Sequence, residues 1–104
     1  MIDVTKLLGF EWDKGNVDKS YKKHGITIRE AEEAFLDKNV FLQEDVKHLE
    51  KEERFIAISR TSTDKTLSSI FIIRNQKIRI ISTRIANKKE RRLYEEKIKA
   101  NTTF

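Results

Sequence analysis

Three strand-forming runs stand almost end to end in the second half of the chain: "RFIAISR" (Arg54 to Arg60), "LSSIFIIR" (Leu67 to Arg74) and "KIRIISTRI" (Lys77 to Ile85). The links between them are too short for a crossover. "NQ" suits a tight hairpin and the polar "TSTDKT" a slightly longer turn, so the economical arrangement is an antiparallel meander. The middle run is apolar on both faces from Ile70 to Ile73, which predicts that it is the central strand.

What precedes the meander reads as one short strand and two helices. In "GFEWD", Phe10 and Trp12 fall on one side and Glu11 and Asp13 on the other, the alternation of an edge strand. Asp13 sits where an N-cap would sit. Val17 and Tyr21 share a helical face within Lys14 to Lys23, and Gly25 follows as a left-handed C-cap. Thr27 and Glu30 form a capping box for "TIREAEEAF", in which Ile28, Ala31 and Phe35 repeat at helical spacing. "NVFLQ" reads as a short strand and "EDVKHLEKEER" as a loop. After the meander, Asn87 and Glu90 form a second capping box, and Leu93, Tyr94 and Ile98 give the last helix an apolar stripe. The expected class is α+β: an antiparallel sheet, made of a meander of three to four strands plus a short N-terminal strand, with two N-terminal helices and one C-terminal helix against one face.

With 104 residues the chain is expected to form a single domain, 1–104. It has no cysteine, which removes disulfides, thiolate metal sites and a cysteine nucleophile, and a reducing cytoplasm is the expected location. Asp3 and Lys6 interrupt the apolar start, and no apolar run approaches the roughly 20 residues of a membrane span. A net charge of +5 and a pI near 9.5 favour an acidic partner, either nucleic acid or an acidic protein surface. Gly9, Gly15 and Gly25 are isolated, so no glycine loop is available to cradle a nucleoside triphosphate.

Several residues could carry chemistry. Strict alternation along Lys77 to Ile85 places Ile78, Ile80, Ser82 and Arg84 on one face and Arg79, Ile81 and Thr83 on the other, so Arg79 and Arg84 diverge unless the strand bulges. Arg84, just before a helix N-terminus carrying Lys88 and Lys89, is placed to meet a phosphate. The plainer alternative binds it to helix carbonyls or to Glu90. Arg54 shares a strand face with Ile56 and Ile58 and so calls for a carboxylate or phosphate partner. Glu53 beside it is either a base or a solvated charge. Arg91 and Tyr94, three apart on the last helix, project from neighbouring positions. His24 stands at a helix end, where it is either a cap or an acid–base group. His48 lies among Glu44, Asp45 and Glu50, but no second histidine is at ligand spacing, so neither a metal nor another cofactor is expected.

Taken in order, "FEWDKGNVDKSYKKHGI", "AEEAF", "ERFIAISR" and "IRIISTRIANKKERRLYEE" resemble the successive motifs of the BrnT toxins, from Phe10 to Glu96. The resemblance implies a RelE-like fold and an endoribonuclease of a type II toxin–antitoxin pair that cleaves RNA and arrests translation. It also implies a BrnA-like antitoxin with a DNA-binding domain, through whose complex the operator DNA is bound. Carried over by position, it favours Lys23, His24, Arg54, Arg79, Arg84, Arg91 and Tyr94. Cleavage without a metal would use Arg54 and Arg84 to stabilise the phosphorane and His24 as acid or base, with Glu53 and Tyr94 in reserve. Lys23, Arg79, Lys88 and Arg91 would bind RNA. One departure is Thr83, where relatives commonly carry alanine; its added bulk is expected to bear on the placement of Arg84. A non-catalytic basic module binding nucleic acid or protein is the alternative.

Overall fold

The structure, a computed structural model, describes residues 9–12, 22–44 and 54–102. Its elements are β1 (Phe10–Trp12), α1 (Ile28–Ala34), β2 (Phe41–Glu44), β3 (Arg54–Arg60), β4 (Thr66–Arg74), β5 (Lys77–Ile85) and α2 (Lys88–Thr102). The five strands form one sheet in the order β1-β5-β4-β3-β2, with β4 at its centre as its two apolar faces require.

Strands β2 to β5 are antiparallel to their neighbours. The β4–β5 turn is set by Asn75 and Gln76, both at positive φ (53° and 62°), the type I′ geometry whose twist matches a two-residue hairpin. The β3–β4 turn closes through a Thr61 N–H bond to the Lys65 carbonyl at 2.9 Å and a Lys65 N–H bond to Thr61 Oγ1 at 3.1 Å.

Two expectations are corrected. The sheet is mixed rather than an antiparallel RelE-like one, because β1 pairs parallel to β5, with Phe10, Glu11 and Trp12 opposite Ile78, Arg79 and Ile80. No short hairpin links β1 to β5, so chain direction is not constrained to reverse between them. The helices also lie on both faces. Ala31, Ala34 and Phe35 of α1 and its end pack with Phe55, Ala57, Leu67, Phe71, Ile78 and Ile80, whereas Leu93, Tyr94 and Ile98 of α2 pack with Phe41, Ile56 and Ile58 on the opposite face. A central strand that buries Phe71 on one side and Ile72 on the other needs cover on each.

The α1 face holds the larger core. Phe71 meets Phe35 edge-on at 5.0 Å between ring centroids, and Phe55 and Phe10 extend the aromatic cluster. Ile28, expected on that face, is 41% exposed, and Ala34 takes the inward place. Trp12 fixes β1 to α1 by donating its indole N–H to Glu32 Oε2 at 2.8 Å. Of the helix expected over Lys14 to Lys23, residues 14–21 lie outside the described residues, as does its expected N-cap Asp13; residues 22–24 are helical and Gly25 stops them at φ 67°.

The α1 capping box forms as expected, and Glu30 does more than cap. Its carboxylate accepts from the Thr27 N–H at 3.1 Å and the Thr63 hydroxyl at 2.8 Å, and pairs with Lys65 at 2.9 Å. The Lys65 hydrogen bond, with those from Thr27 and Thr63, lowers its pKa to about 2 despite the opposing effect of burial.

Two outcomes follow from this packing. Phe71→Ala should cost about 3–5 kcal/mol, read from the urea midpoint, since the ring is fully buried against those of Phe35 and Phe55. Because the folded-state pKa of Glu30 is depressed, its stabilisation is present above the unfolded value of 4.5 and is lost as pH falls toward about 2. Wild type should therefore lose stability more steeply than Glu30→Gln between pH 5 and pH 2.5, measured by denaturant midpoints across that range.

Candidate active site

The register of β3, β4 and β5 decides which cations meet. Arg54 of β3 stands opposite Ile72 of β4, and Ile72 stands opposite Arg79 of β5, so the three share one row and one face. On β1, Glu11 stands opposite Arg79 and ends the row. Arg54 and Arg79 are two strand spacings apart, about 10 Å between backbones, with the buried Ile72 as a floor between them. This is the α2 face, but α2 packs on the β2–β3 side of it, and Arg54, Ile56, Ile70, Arg79 and Glu11 all keep partial exposure.

A β-bulge brings Arg84 to that face as well. The register shifts between Ile70 and Phe71, whose partners are Ser82 and Ile80, leaving Ile81 as the extra residue. Beyond it the alternation inverts: Thr83 turns inward and Ser82 and Arg84 turn out onto the side of Arg79. The expected divergence of Arg79 and Arg84 is thereby corrected. Thr83 does not crowd Arg84. It is buried on the α1 side of the sheet, where its hydroxyl bonds the Ser69 hydroxyl at 3.1 Å.

The two arginines nevertheless have different surroundings. Arg84 lies two rows from Arg79, about 13 Å along the strand, and its guanidinium grips Glu90 through both oxygens at 2.8 and 2.9 Å. Glu90 also accepts from the Asn87 N–H and the Ser68 hydroxyl, both at 2.9 Å, while its own N–H bonds Asn87 Oδ1. Burial works to raise the pKa of Glu90, and the Arg84, Asn87 and Ser68 bonds overcome it, leaving a net lowering. Arg84 thus takes the plainer of its two places, clamping the first turn of α2 to β4 and β5. Arg79 Nη1 stands 3.9 Å from Glu11 Oε2, at the limit of an ion pair. Among the described residues, the side chain of Arg54 makes no hydrogen bond or ion pair.

The remaining sequence candidates are scattered. His24 is half-exposed beside Gly25, whose carbonyl accepts from Lys65 at 3.3 Å, and Ile26 enters the α1-side core. This puts His24 at the β3–β4 turn, whereas Arg54 is at the other end of β3, about 20 Å away along the strand. Lys23 is exposed beside it. Tyr94 is buried under α2 and donates its hydroxyl to Asp37 Oδ2, with Arg60 stacked 5.3 Å from the ring centroid. Burial first, and then Asp37, raise the Tyr94 pKa, so its proton is harder to remove than that of an ordinary tyrosine. Arg91 is exposed and turns to the Ala86 carbonyl at 3.2 Å, and Lys88 is exposed at the start of α2. Glu53 and His48 lie outside the described residues, and no three His, Asp or Glu side chains among those described are grouped to hold a metal ion. No described helix is long and apolar enough to cross a membrane.

Glu11 was absent from the sequence candidates, although the alternation of "GFEWD" had already set it apart from Phe10 and Trp12. What the linear pattern lacked was the partner strand. A concavity of about 440 Å³ lies between α2 and the end of α1 with the residues after it, lined by Glu33, Leu36, Asp37, Arg60, Tyr94 and Ile98 among others. Its carboxylates are engaged: Asp37 by Tyr94 and by the Arg60 N–H, Glu33 by the Ser62 N–H.

The chain of the Brucella abortus ribonuclease toxin BrnT, seen in a crystal structure, shares this fold: the TM-score is 0.58 at 18% sequence identity, covering 78% of this chain and 99% of that one. No curated protein matches the sequence significantly. The family model for the ribonuclease toxin BrnT of type II toxin–antitoxin systems matches residues 12–90, from β1 through the Glu90 clamp. With most of its length matched, the chain belongs to the BrnT family of ribonuclease toxins.

Proposed function

We propose that this chain is a metal-independent endoribonuclease that arrests translation in the cytoplasm and is neutralised by a BrnA-like, DNA-binding antitoxin, through which the pair contacts operator DNA. The observation that carries the reading is the row Arg54–Ile72–Arg79: two cations on one sheet face, flanking an apolar floor. Two planar guanidinium forks based on either side of that floor would suit a phosphodiester, whose two unesterified oxygens point away from the chain on both sides. Charge builds on those oxygens in the phosphorane, and cations fixed by a sheet need little rearrangement to meet it.

The other cations take secondary roles. Lys88, with its neighbours Lys89 and Arg92, is exposed at the start of α2 and extends the positive surface along which flanking RNA would run. Arg84 supports this end by holding Glu90. His24, Lys23, Arg91 and Tyr94 are given no step, because their neighbours are the β3–β4 turn, Lys65, Ala86 and Asp37 rather than the arginine row.

Arg54→Ala and Arg79→Ala should each slow cleavage of bulk cellular RNA roughly a hundredfold or more in excess chelator, the usual cost of one transition-state contact. Arg84→Ala should slow it less than about tenfold while lowering the denaturation midpoint, since its bonds are to the helix cap. Fragment length against time is the measurement. Retained RNA binding with no cleavage by wild type would favour the non-catalytic basic module instead.

A further inference from the structure

We propose that Glu11 is the general base of this ribonuclease site, taking the proton from the 2′-hydroxyl of the nucleotide whose 3′-phosphate sits between Arg54 and Arg79. The inference rests on the ribonuclease reading and deepens it by naming the proton acceptor and the substrate class, RNA with a free 2′-hydroxyl.

The argument is one of position and then of freedom. β1 is the last strand on the β5 side of the sheet, and its parallel register puts Glu11 opposite Arg79, in line with Ile72 and Arg54. Phe10 and Trp12 turn to the other face, where they pack with the α1-side core and Trp12 bonds Glu32, so the strand is held from behind while Glu11 projects in front. The Glu11 carboxylate oxygen is 3.9 Å from Arg79 Nη1. A phosphate held by Arg79 therefore brings its own ribose within reach of that carboxylate.

No other described carboxylate combines these properties. Glu90 is on the same face but is gripped through both oxygens by Arg84, Ser68 and Asn87. Glu44, opposite Phe55, belongs to the other face of the sheet. Asp37 accepts from Tyr94 and from the Arg60 N–H beyond the far end of β3. The long, partly exposed Glu11–Arg79 pairing, with side chains 28% and 27% exposed, leaves the carboxylate able to turn to a substrate.

In the step, the Glu11 carboxylate accepts the 2′-hydroxyl proton as the 2′-oxygen forms a bond to phosphorus. The bond from phosphorus to the 5′-oxygen breaks with its electron pair, and that oxygen takes a proton from water. The resulting hydroxide is neutralised by the proton on Glu11, and the products are a 2′,3′-cyclic phosphate and a 5′-hydroxyl.

The test compares wild type, Glu11→Gln and Glu11→Asp in single-turnover cleavage of an RNA oligonucleotide across pH, alongside binding of the same oligonucleotide fully 2′-O-methylated, which cannot be cleaved. Glu11→Gln should bind the methylated strand within about threefold of wild type, cleave about a hundredfold or more slower, and lose the acid limb of the pH–rate profile. Glu11→Asp should recover part of the rate and restore that limb. Cleavage by Glu11→Gln at the wild-type rate overturns the proposal and leaves the ribonuclease reading intact. Loss of binding and cleavage together, without recovery in Glu11→Asp, also overturns it and assigns Glu11 to supporting Arg79. A wild type that cuts no RNA overturns both.

Discussion

β4 carries Phe71 and Ile72 side by side, and a strand's neighbours point to opposite faces, so both sides of the sheet centre must leave water. Much of the architecture answers that demand. The α1 face is covered by a compact aromatic and aliphatic core. Among the described residues, the apolar stripe of α2 packs on the other face over β2 and β3, and toward β5 and β1 the row of Ile72 is built from long side chains whose stems can shield it while their charged heads stay wet. Arg54 and Arg79 therefore share a row with the buried Ile72 while keeping partial exposure, which is where the proposed site lies.

The bulge at Ile81 is the second constraint. It changes which residues of β5 face α2 without changing the residues themselves, and it lets Thr83 join Ser69 in the core while Arg84 reaches the α2 cap. Glu90 then ties strand β4, strand β5 and the first turn of α2 into one unit. Tyr94 fastens the middle of the same helix to Asp37, so α2 is pinned at two levels.

Much of this was legible in local sequence. The meander, its "NQ" turn, the central place of β4 and both capping boxes rest on short-range rules, and they stand. The face shared by Arg54, Ile56 and Ile58 also followed from simple alternation. What eluded the sequence was long-range: the parallel seat of β1, the division of helices between faces, and the bulge, which strict alternation treats as an exception. The site suffered most from these. Arg84 was open in sequence to either a phosphate or Glu90, six residues on, and the structure pairs it with Glu90. His24 was read as either a cap or an acid–base group, and the chain places it at the β3–β4 turn, the end of β3 away from Arg54. Glu11 looked ordinary until β5 was placed beside it.

The parallel pairing of β1 with β5 joins an early segment of the sequence to a much later one, since Phe10 meets Ile78 and Glu11 meets Arg79. A ribosome releases those residues in order, so the carboxylate emerges early and its arginine late. Until β5 has cleared the exit tunnel the row has no Arg79 and β1 has no edge to join. A growing chain thus cannot assemble the row of Glu11, Arg79, Ile72 and Arg54 until β5 has been released and has paired with β1.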